Sequence, residues 1–323
     1  SGLIWKQKKS MTKVLISDAM DGIAEKILTS NKIDVDVKTD FNIEELKDKI
    51  SEYDGLIIRS ATKVTKEIIE SAKNLKIIGR AGAGVDNIDL VTAKEKKIIV
   101  MNTPGGNTNA TAEHTLALLM SLSRKISKAD VSTHKGEWAK KKLKGNEIKG
   151  KTIGIIGFGN VGRRFAEICQ VLGLKVLVVS KSFTAVKDQY PEYSSCDLSE
   201  VLQQADIISF HCKPNIDGSS VIASKELNLM KKAALIINTA RGNLVSEVDL
   251  CDAIKANKIG GAAIDVFETE PATNNALFGL ENVLLTPHIA ASTSEAQIIV
   301  AEMVANQFVE YFLNNKVINE VTW

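Results

Sequence analysis

Short apolar runs alternate along the chain with segments whose apolar residues recur at helical spacing. From Thr12 onward the runs read VLIS, VDVK, GLIIR, KIIGR and IIVMN, and segments such as NIEELKDKI and TKEIIESAK separate several of them. Runs rich in Val and Ile that alternate with helical segments are typical of βα units, whose parallel strands are buried on both faces. The pattern therefore predicts a parallel sheet that ends near Asn102.

A second alternating series follows the first. It begins at KTIGIIG and continues with VLVVS, DIISF, ALIIN, GAAID and NVLLT. Apolar-rich helices are predicted from about Thr108 to Ile126 and again beyond Pro287. The first of these has more apolar surface than one side of a helix needs, which indicates burial between domains, between subunits or within one chain. The predicted fold class is α/β, with two doubly wound parallel-sheet domains.

Composition and charge narrow the class of protein. The 323 residues have room for two domains, and 44% hydrophobic with 25% charged residues is the balance of a globular protein. The formal charge of +2, from 41 basic and 39 acidic residues, favours neither nucleic acid nor a membrane surface as a partner. Four scattered cysteines without CxxC spacing predict a reduced, cytoplasmic protein without a metal site. Residues 1–10, SGLIWKQKKS, precede Met11 and are expected to be a poorly ordered extension or a tag.

A glycine motif opens the second series. Gly157, Gly159 and Gly162 form GxGxxG directly after the strand KTIGIIG and before the helix-like segment VGRRFAEICQVLG, and Asn160 and Val161 of this turn are further candidate cofactor contacts. The first glycine permits a tight turn, the second lets the backbone approach a pyrophosphate, and the third allows close packing of helix on strand. Free N–H groups at the helix start then face the anion. This context predicts a dinucleotide site.

The next strand, VLVVS, leaves the choice of dinucleotide open. Such a strand usually ends on an acid that accepts hydrogen bonds from the ribose hydroxyls of NAD, but here it ends on Ser180, followed by Lys181. Ser180 removes the repulsion of a 2′-phosphate, and Lys181 could supply a positive charge to it. Alternatively, Lys181 is merely solvated and the site takes NAD through other contacts. The cofactor is thus NAD or NADP.

Three strands of the second series end on reactive side chains. ALIINTARG ends at Arg241, GAAIDVFETEP runs through Asp265 to Glu270, and NVLLTPHIA carries His288. Ligands of open α/β sheets bind outside the carboxyl ends of the strands, so these residues can converge. Each alone would more often be structural, but together with a dinucleotide site they fit oxidation of an alcohol. The arginine can hold a carboxylate, the histidine can take the hydroxyl proton, and the glutamate can orient the histidine.

The motifs NTARG, GAAIDVFETEP and LTPHIAAST, with GxGxxG ahead of them, resemble those of the D-2-hydroxy-acid dehydrogenases over residues 12–315. The resemblance implies that Arg241 anchors the substrate, that His288 is the general acid/base and that Glu270 is its partner. It also implies cofactor contacts by Thr239, Ala240 and Asp265, the last at the nicotinamide end.

The same resemblance implies a domain organisation and an assembly. A Rossmann cofactor domain, residues 108–287, would be inserted into a flavodoxin-like substrate domain made of residues 11–107 and 288–323. The predicted helix beyond Pro287 would return the chain to the first domain. The family forms dimers through its cofactor domain, so a homodimer or a larger homo-oligomer is expected.

The N-terminal half resembles the D-3-phosphoglycerate dehydrogenase branch of this family in IRSATKVT, GRAGAGVDNIDL, MNTPGGN and GEWAKKK. Two arginines at strand ends would suit a doubly charged phosphate, and free N–H groups of RAGAG could cradle a carboxylate. Alternatively, the arginines are ordinary ion-pair partners and the lysine run is a solvated face. The substrate-site residues that the branch implies are Arg59, Ser60, Arg80, Ala83, Gly84, Asn107 and Lys140.

This branch implies oxidation of D-3-phosphoglycerate to 3-phosphohydroxypyruvate, the first step of phosphorylated serine biosynthesis. Two features depart from it, because Ser180 replaces the branch's acid and the chain stops at Trp323. The second departure implies a short form without the serine-sensing regulatory domain of longer members. The alternatives are an NADPH-dependent glyoxylate or hydroxypyruvate reductase, or another D-2-hydroxy-acid dehydrogenase. A dinucleotide-sensing, corepressor-like binding protein is disfavoured by the intact set of Arg241, Glu270 and His288.

Overall fold

The computed structural model describes residues 11–322, and the extension predicted for residues 1–10 lies outside the described residues. The chain divides into two units, of which one comprises the residues up to Asn107 together with those from Thr293 onward. The other unit runs from Thr108 to Ser292. We call them the discontinuous unit and the inserted unit.

The first part of the discontinuous unit contains β1 (Lys13–Ile16), α1 (Ile23–Ser30), β2 (Asp34–Val37), α2 (Ile43–Lys49), β3 (Gly55–Ile58), α3 (Lys66–Ser71), β4 (Ile77–Arg80), α4 (Leu90–Glu95) and β5 (Ile99–Met101). The inserted unit contains α5 (Thr108–Arg124), α6 (Ile126–His134), β6 (Thr152–Ile156), α7 (Asn160–Val171), β7 (Lys175–Val179), α8 (Lys181–Val186), β8 (Ser194–Ser195), α9 (Leu198–Gln204), β9 (Ile207–Phe210), α10 (Ser224–Leu227), β10 (Leu235–Asn238), α11 (Glu247–Lys255), β11 (Gly261–Ile264) and β12 (Val283–Leu285). The chain then returns to the discontinuous unit with α12 (Ser294–Asn314).

The sheet of the discontinuous unit has, within the described residues, five parallel strands in the order β2-β1-β3-β4-β5. This is the flavodoxin-like order. Helix α12 covers one face, where Phe308 is fully buried. Glycines on β3 and β4 make room for it, because a Cβ at Gly79 would overlap the Phe308 ring and one at Gly55 would crowd it. The predicted helix beyond Pro287 thus packs on the first sheet.

The sheet of the inserted unit has seven parallel strands within the described residues, in the order β12-β11-β10-β9-β6-β7-β8. The strand order reverses at β6, between β7 and β9, and such a switch point is where open α/β sheets bind ligands. The strands before the three predicted catalytic residues, β10, β11 and β12, are direct neighbours. The predicted fold class of two doubly wound parallel sheets is confirmed.

Helix α5 ends earlier than the sequence predicts. Lys125 has a left-handed φ of 55° and separates α5 from α6, an element that the sequence pattern did not reveal. The apolar side of α5, including Leu118 and Leu119, is buried with Ile153 and Phe165 in a core of the inserted unit. Much of the apolar surface of α5 is therefore buried within one chain, which was one of the three alternatives that the sequence left open.

The chain leaves the inserted unit after Ser292, later than the boundary expected after residue 287. The reason is local, because Asp265 accepts hydrogen bonds from the backbone N–H groups of Ile289 and Ala290 and ties them to β11. In the part of the chain that the structure describes, no helix has both the length and the apolarity to cross a bilayer.

Candidate active site

A histidine and a glutamate form a close pair beyond the carboxyl ends of β11 and β12. Nδ1 of His288 lies 2.6 Å from Oε2 of Glu270, and the side chains are 49% and 34% exposed. The other carboxylate oxygen, Oε1, accepts the backbone N–H of Phe267 at 3.0 Å, which fixes the carboxylate. Since a carboxylate only accepts, we assign a proton to Nδ1. Nε2 is then the ring nitrogen left to exchange a proton with a ligand.

Asp265, at the end of β11, fixes the backbone that carries His288. Its Oδ1 accepts the N–H of Ile289 at 2.9 Å and its Oδ2 accepts the N–H of Ala290 at 3.0 Å. Its backbone carbonyl accepts the N–H of His288 at 2.8 Å. His288 itself has a left-handed φ of 53°, a conformation that costs energy in a residue with a Cβ. The loop is therefore held at three consecutive positions.

Asp265 is fully buried and has donors on both carboxylate oxygens. Burial alone would raise the pKa of this carboxyl, but hydrogen bonds from His114, Thr286 and the two backbone N–H groups outweigh it and hold the pKa below its ordinary value. The group is thus an ionised anchor for the loop. Its expected contact with the nicotinamide end of a cofactor stays a prediction.

Arg241 lies in the loop after β10, and the backbone of that loop is fixed by Asn238. The Asn238 side chain donates to the carbonyl of Arg241 at 2.8 Å and accepts the N–H of Ala240 at 3.0 Å. Nη1 of Arg241 donates to the Ala240 carbonyl at 2.7 Å. The next residue, Gly242, packs against the backbone of Phe267 so closely that a Cβ would overlap it. The loop of Arg241 and the loop of Glu270 are therefore in direct contact.

The glycine motif forms an uncapped helix start after β6. Gly157 has a left-handed φ of 100°, and a Cβ there would overlap the carbonyl of His211. A Cβ at Gly162 would overlap the Gly157 carbonyl, whereas the space around Gly159 is open. Gly159 is the N-cap of α7 and provides no side-chain cap. The first turn of α7 holds Asn160, Val161 and Gly162. These N–H groups fit the pyrophosphate of a dinucleotide.

At the end of β7, the serine that stands in place of the expected acid caps the following helix. Ser180 is the N-cap of α8, its Oγ accepts the N–H of Phe183 at 3.4 Å, and it lies 2.8 Å from the Oγ of Ser182. Lys181 is the first residue of α8 and is exposed. Helix α8 was not predicted, although a serine three residues before a buried phenylalanine is a recognisable N-cap signal.

Thr239 directs its hydroxyl into the inserted unit. Thr115 on α5 donates its hydroxyl proton to the carbonyl of Thr111 at 2.7 Å, so Thr239 is the donor in the 2.8 Å hydrogen bond between the two threonine hydroxyls. Thr239 is buried. This bond joins α5 to the loop that carries Arg241, and the predicted cofactor contact of Thr239 stays a prediction.

In the discontinuous unit, the loop after β3 is held from two sides. The carboxylate of Asp18 accepts the backbone N–H groups of Arg59 at 2.7 Å and of Thr62 at 3.0 Å. Nδ2 of Asn87 donates to the carbonyls of the same two residues, each at 2.7 Å. Nη1 of Arg80 donates to Oδ1 of Asn87 at 2.6 Å. Asn87 therefore connects the two predicted substrate arginines.

The other predicted substrate residues lie in loops. Ser60 and Ala83 are exposed, and the Ala83 carbonyl accepts Nδ2 of Asn102 at 2.7 Å. Gly84 and Asn107 are partly exposed, Asn107 as the last residue before the inserted unit. Lys140 is exposed in a short 3₁₀ turn, Lys140–Lys142, of the inserted unit. Their roles stay predictions.

Sequence reasoning missed the residues that hold the loops in place. Asp18, Asn87, His114, Asn238 and Thr286 are all at least partly buried and hydrogen-bonded to a loop that carries a predicted site residue. Their signal was present, because Asn87 lies in VDNID, Asn238 begins NTARG and Thr286 begins TPH. Short polar side chains that follow buried strands commonly hydrogen-bond to the loop backbone.

Known proteins share this sequence pattern and this fold. The NAD binding domain of the D-isomer specific 2-hydroxyacid dehydrogenases matches residues 116–290, more than half of the chain. The chain therefore belongs to the D-isomer specific 2-hydroxyacid dehydrogenase family and contains that family's nicotinamide-dinucleotide domain.

Particular relatives are similar over most of the chain. The D-3-phosphoglycerate dehydrogenase of Archaeoglobus fulgidus is 42% identical over 298 residues, which is 92% of this chain and 56% of the relative. An acyclic imino acid reductase, solved with NADPH and D-Arg, is 33% identical with a TM-score of 0.86 and aligns over 96% of this chain and 100% of its own. The NAD⁺-bound 3-phosphoglycerate dehydrogenase of Entamoeba histolytica is 27% identical, with a TM-score of 0.81 over 97% and 99% of the two chains. The chain thus spans little more than half the length of the curated relative.

Proposed function

We propose that this chain interconverts D-3-phosphoglycerate and 3-phosphohydroxypyruvate with a nicotinamide cofactor. The observation that carries the reaction type is the 2.6 Å pair of His288 and Glu270. These residues follow β12 and β11, and β11 lies next to β10, the strand that precedes Arg241. The relative from Archaeoglobus fulgidus is named for this substrate. The closely held pair supports a dehydrogenase over a protein that only senses dinucleotides, because a sensor needs no general acid/base.

The side chains divide the chemistry among them. The cofactor, held at Gly157–Gly162 when bound, supplies the acceptor for the hydrogen that leaves the substrate C2 with its electron pair. Nε2 of His288 takes the C2 hydroxyl proton, and the Nδ1 proton stays in its hydrogen bond to Glu270, which stabilises the imidazolium. The guanidinium of Arg241 holds the substrate carboxylate through paired N–H donors. In the reverse direction the imidazolium returns its proton to the carbonyl oxygen.

The substrate phosphate would bind the arginines of the discontinuous unit. Asn87 holds the guanidinium of Arg80 through its oxygen and the backbone of Arg59 through its nitrogen, while the guanidinium of Arg59 donates to the Ala19 carbonyl at 3.3 Å. Two guanidinium groups match the two negative charges of a phosphate, whereas a carboxylate carries only one. Ordering the loop before binding lowers the entropic cost of holding the ligand.

The experiment that tests the function is a comparison of four reduction rates, followed at 340 nm. The purified chain is offered 3-phosphohydroxypyruvate or glyoxylate, each with NADH or NADPH. We expect the highest kcat/KM with 3-phosphohydroxypyruvate. A higher kcat/KM with glyoxylate would replace the proposal with the reductase alternative, and no turnover of either would favour a binding protein.

Removal of Arg59 and Arg80 should lower activity toward the phosphorylated substrate much more than activity toward glyoxylate. In the double variant Arg59→Ala/Arg80→Ala we expect kcat/KM for 3-phosphohydroxypyruvate to fall by at least about 10²-fold, because two charge-assisted contacts to phosphate are lost. The kcat/KM for glyoxylate, which has no phosphate, should change much less. Arg124→Ala is the control, since Arg124 is exposed on the last turn of α5. Equal losses for both substrates would contradict phosphate recognition at this cluster.

For the cofactor, we propose that the site admits NADP as well as NAD. Support comes from the strand end, where Ser180 stands in place of the acid that repels a 2′-phosphate and Lys181 is exposed beside it. The NADPH-bound imino acid reductase and the NAD⁺-bound dehydrogenase named above share the fold, so the fold is compatible with either cofactor.

Ser180→Asp should shift the preference toward NADH. An aspartate can still cap α8 through its carboxylate, so the fold should be retained, while its charge repels the 2′-phosphate and accepts the ribose hydroxyls. We expect the ratio of kcat/KM for NADPH to that for NADH to fall by about 10-fold or more. Ser180→Asn keeps a capping group without the charge and serves as the control. An unchanged ratio in Ser180→Asp would show that this position does not set the preference.

We also propose a homo-oligomer formed through the inserted unit. Ile126 and Val131 of α6 are each more than half exposed, and Trp138 beyond it is 87% exposed. Several exposed large apolar side chains on one surface element are a feature of subunit interfaces. The mass in solution, from light scattering coupled to gel filtration, tests this.

The four free cysteines support a reducing compartment, the cytoplasm, as the site of action. Two of them, Cys169 and Cys251, are buried. Burial raises the pKa of the Cys169 thiol to about 12, which keeps it protonated and unreactive. Localisation of the tagged chain by microscopy or fractionation is the direct check.

A further inference from the structure

We propose that His114, on α5, is a positioning residue for His288 and acts through Thr286 and Asp265. The inference rests on the proposed function and deepens it. Nε2 of His114 lies 3.1 Å from Oγ1 of Thr286 and 3.4 Å from Oδ1 of Asp265. Oγ1 of Thr286 lies 2.6 Å from that same carboxylate oxygen. Three polar side chains from α5, β11 and the end of β12 therefore form one connected group.

The chemistry of these groups determines which of them donates each hydrogen bond. The ionised carboxylate of Asp265 only accepts, so the single hydroxyl proton of Thr286 points to it. The lone pairs of Thr286 then face His114, so the Nε2 of His114 must carry a proton. A hydrogen-bonded chain thus runs from His114 to Thr286 to Asp265, with every donor directed toward the carboxylate.

The chain ends on the backbone of the catalytic loop. Asp265 accepts the N–H groups of His288, Ile289 and Ala290, the first with its carbonyl and the others with its carboxylate. His288 is held in a left-handed conformation that is unfavourable for a residue with a Cβ. If Asp265 moves or rotates, the backbone at His288 can relax and its ring separates from Glu270.

Helix α5 is well suited to act as the fixed support. The next residue, Thr115, is fully buried and bonds to Thr239 at the start of the loop of Arg241. Consecutive residues of one helix therefore hold the loop of the general acid/base and the loop of the substrate arginine. The side chain of His114 is only 19% exposed, and removal of its N–H leaves the partly buried Thr286 hydroxyl beside Asp265 without its donor.

The first test compares His114→Leu with His114→Gln. Leucine fills the space without a donor, whereas the glutamine side chain carries an N–H donor that can reach Thr286. We expect kcat of His114→Leu to fall by on the order of 10- to 100-fold, as is typical when a supporting partner of a reactive group is removed. The variant should still bind the cofactor, because the glycine motif is untouched. His114→Gln should recover most of the loss.

Two further variants make the test specific. His134→Leu is the matched control, because His134 is 81% exposed on α6 and should leave kcat unchanged. Thr286→Val removes the middle of the chain with little change of shape and should lower kcat as much as His114→Leu does. The double variant should lose no more than either single variant, since both break the same chain. If His114→Leu does not fold, Thr286→Val alone carries the comparison with His134→Leu.

The last measurement does not depend on the substrate. The sequence has four histidines, so the ring signals of the histidine-labelled protein can be resolved by NMR, and that of His288 is assigned by its absence in His288→Asn. We expect the His288 signal to move or broaden in His114→Leu and Thr286→Val, and to return in His114→Gln. An unmoved His288 signal together with unchanged kcat would overturn the proposal. If the proposed substrate is wrong and no turnover is seen, the NMR comparison still decides the role of His114.

Discussion

Replacement of His288 by asparagine should lower kcat for 3-phosphohydroxypyruvate reduction by about 10³-fold, within the range of about 10² to 10⁴ that a positioned general acid/base contributes. The variant keeps a side chain of similar size that can hydrogen-bond to Glu270, but it has no group that exchanges a proton at the position of Nε2. Because the backbone N–H groups of the glycine motif do not depend on the His288 side chain, the dissociation constant for the cofactor should change by less than about threefold. Rapid-mixing measurements of the chemical step and a separate cofactor titration check both parts.

Two comparisons make this result specific for proton transfer. His134→Asn should retain full activity, since His134 is exposed on α6. Glu270→Gln should cost less than His288→Asn, because the ring still receives a hydrogen bond partner but the imidazolium loses its compensating charge. A His288→Asn variant that retains more than a tenth of the wild-type kcat would contradict the assignment of the acid/base.

The strand positions and the proximity of His288 to Glu270 were both predictable, for the same physical reason. Buried parallel strands require continuous apolar runs, and reactive residues that follow such runs must emerge at one edge of the sheet. Glu270 and His288 are 18 residues apart, yet the sequence places each just beyond a strand, and β11 and β12 turn out to be neighbours. Because the strands are parallel neighbours, two residues that follow different strands in the sequence lie in contact at the same edge of the sheet.

The roles of polar side chains were less predictable, because a hydrogen bond leaves no periodic signal. The position of Asp265 predicts a cofactor contact, and its burial and its four donors show a second role that the sequence did not reveal, as an anchor of the His288 loop. Ser180 looks like the remnant of a ribose site, and it also caps a helix that the apolar pattern does not reveal. Both assignments depend on which donors lie within hydrogen-bonding distance of the side-chain oxygens.

The boundary between the two units was also set by hydrogen bonds that the sequence pattern does not reveal. The sequence indicates a return to the first sheet after Pro287, because the helical pattern begins there. The described structure keeps residues to Ser292 with the inserted unit, since Ile289 and Ala290 are bonded to Asp265. Periodicity locates the helix that returns, but the tertiary hydrogen bonds decide where the chain leaves.

Replacement of Arg241 by alanine should lower kcat/KM by about 10²- to 10³-fold, or about 3–4 kcal/mol, because a charge-assisted, paired contact to the substrate carboxylate is lost. The loop should keep its shape, since Asn238 holds the backbone carbonyl of Arg241 and Gly242 packs against Phe267 independently of the arginine side chain. Steady-state kinetics at several substrate concentrations, with thermal unfolding as the measure of fold, test this expectation.

Arg241→Lys distinguishes the paired contact from charge alone. Lysine keeps the positive charge but has no planar fork of donors, so we expect about a tenfold smaller loss than with alanine and not full activity. Arg124→Ala, on the exposed end of α5, should leave both constants unchanged. If the arginine acts only by charge, Arg241→Lys will equal the wild type. If it serves only to stabilise the loop, the loss of kcat/KM in Arg241→Ala will follow the loss of folded protein, and the role of Arg241 as carboxylate anchor will have to be abandoned.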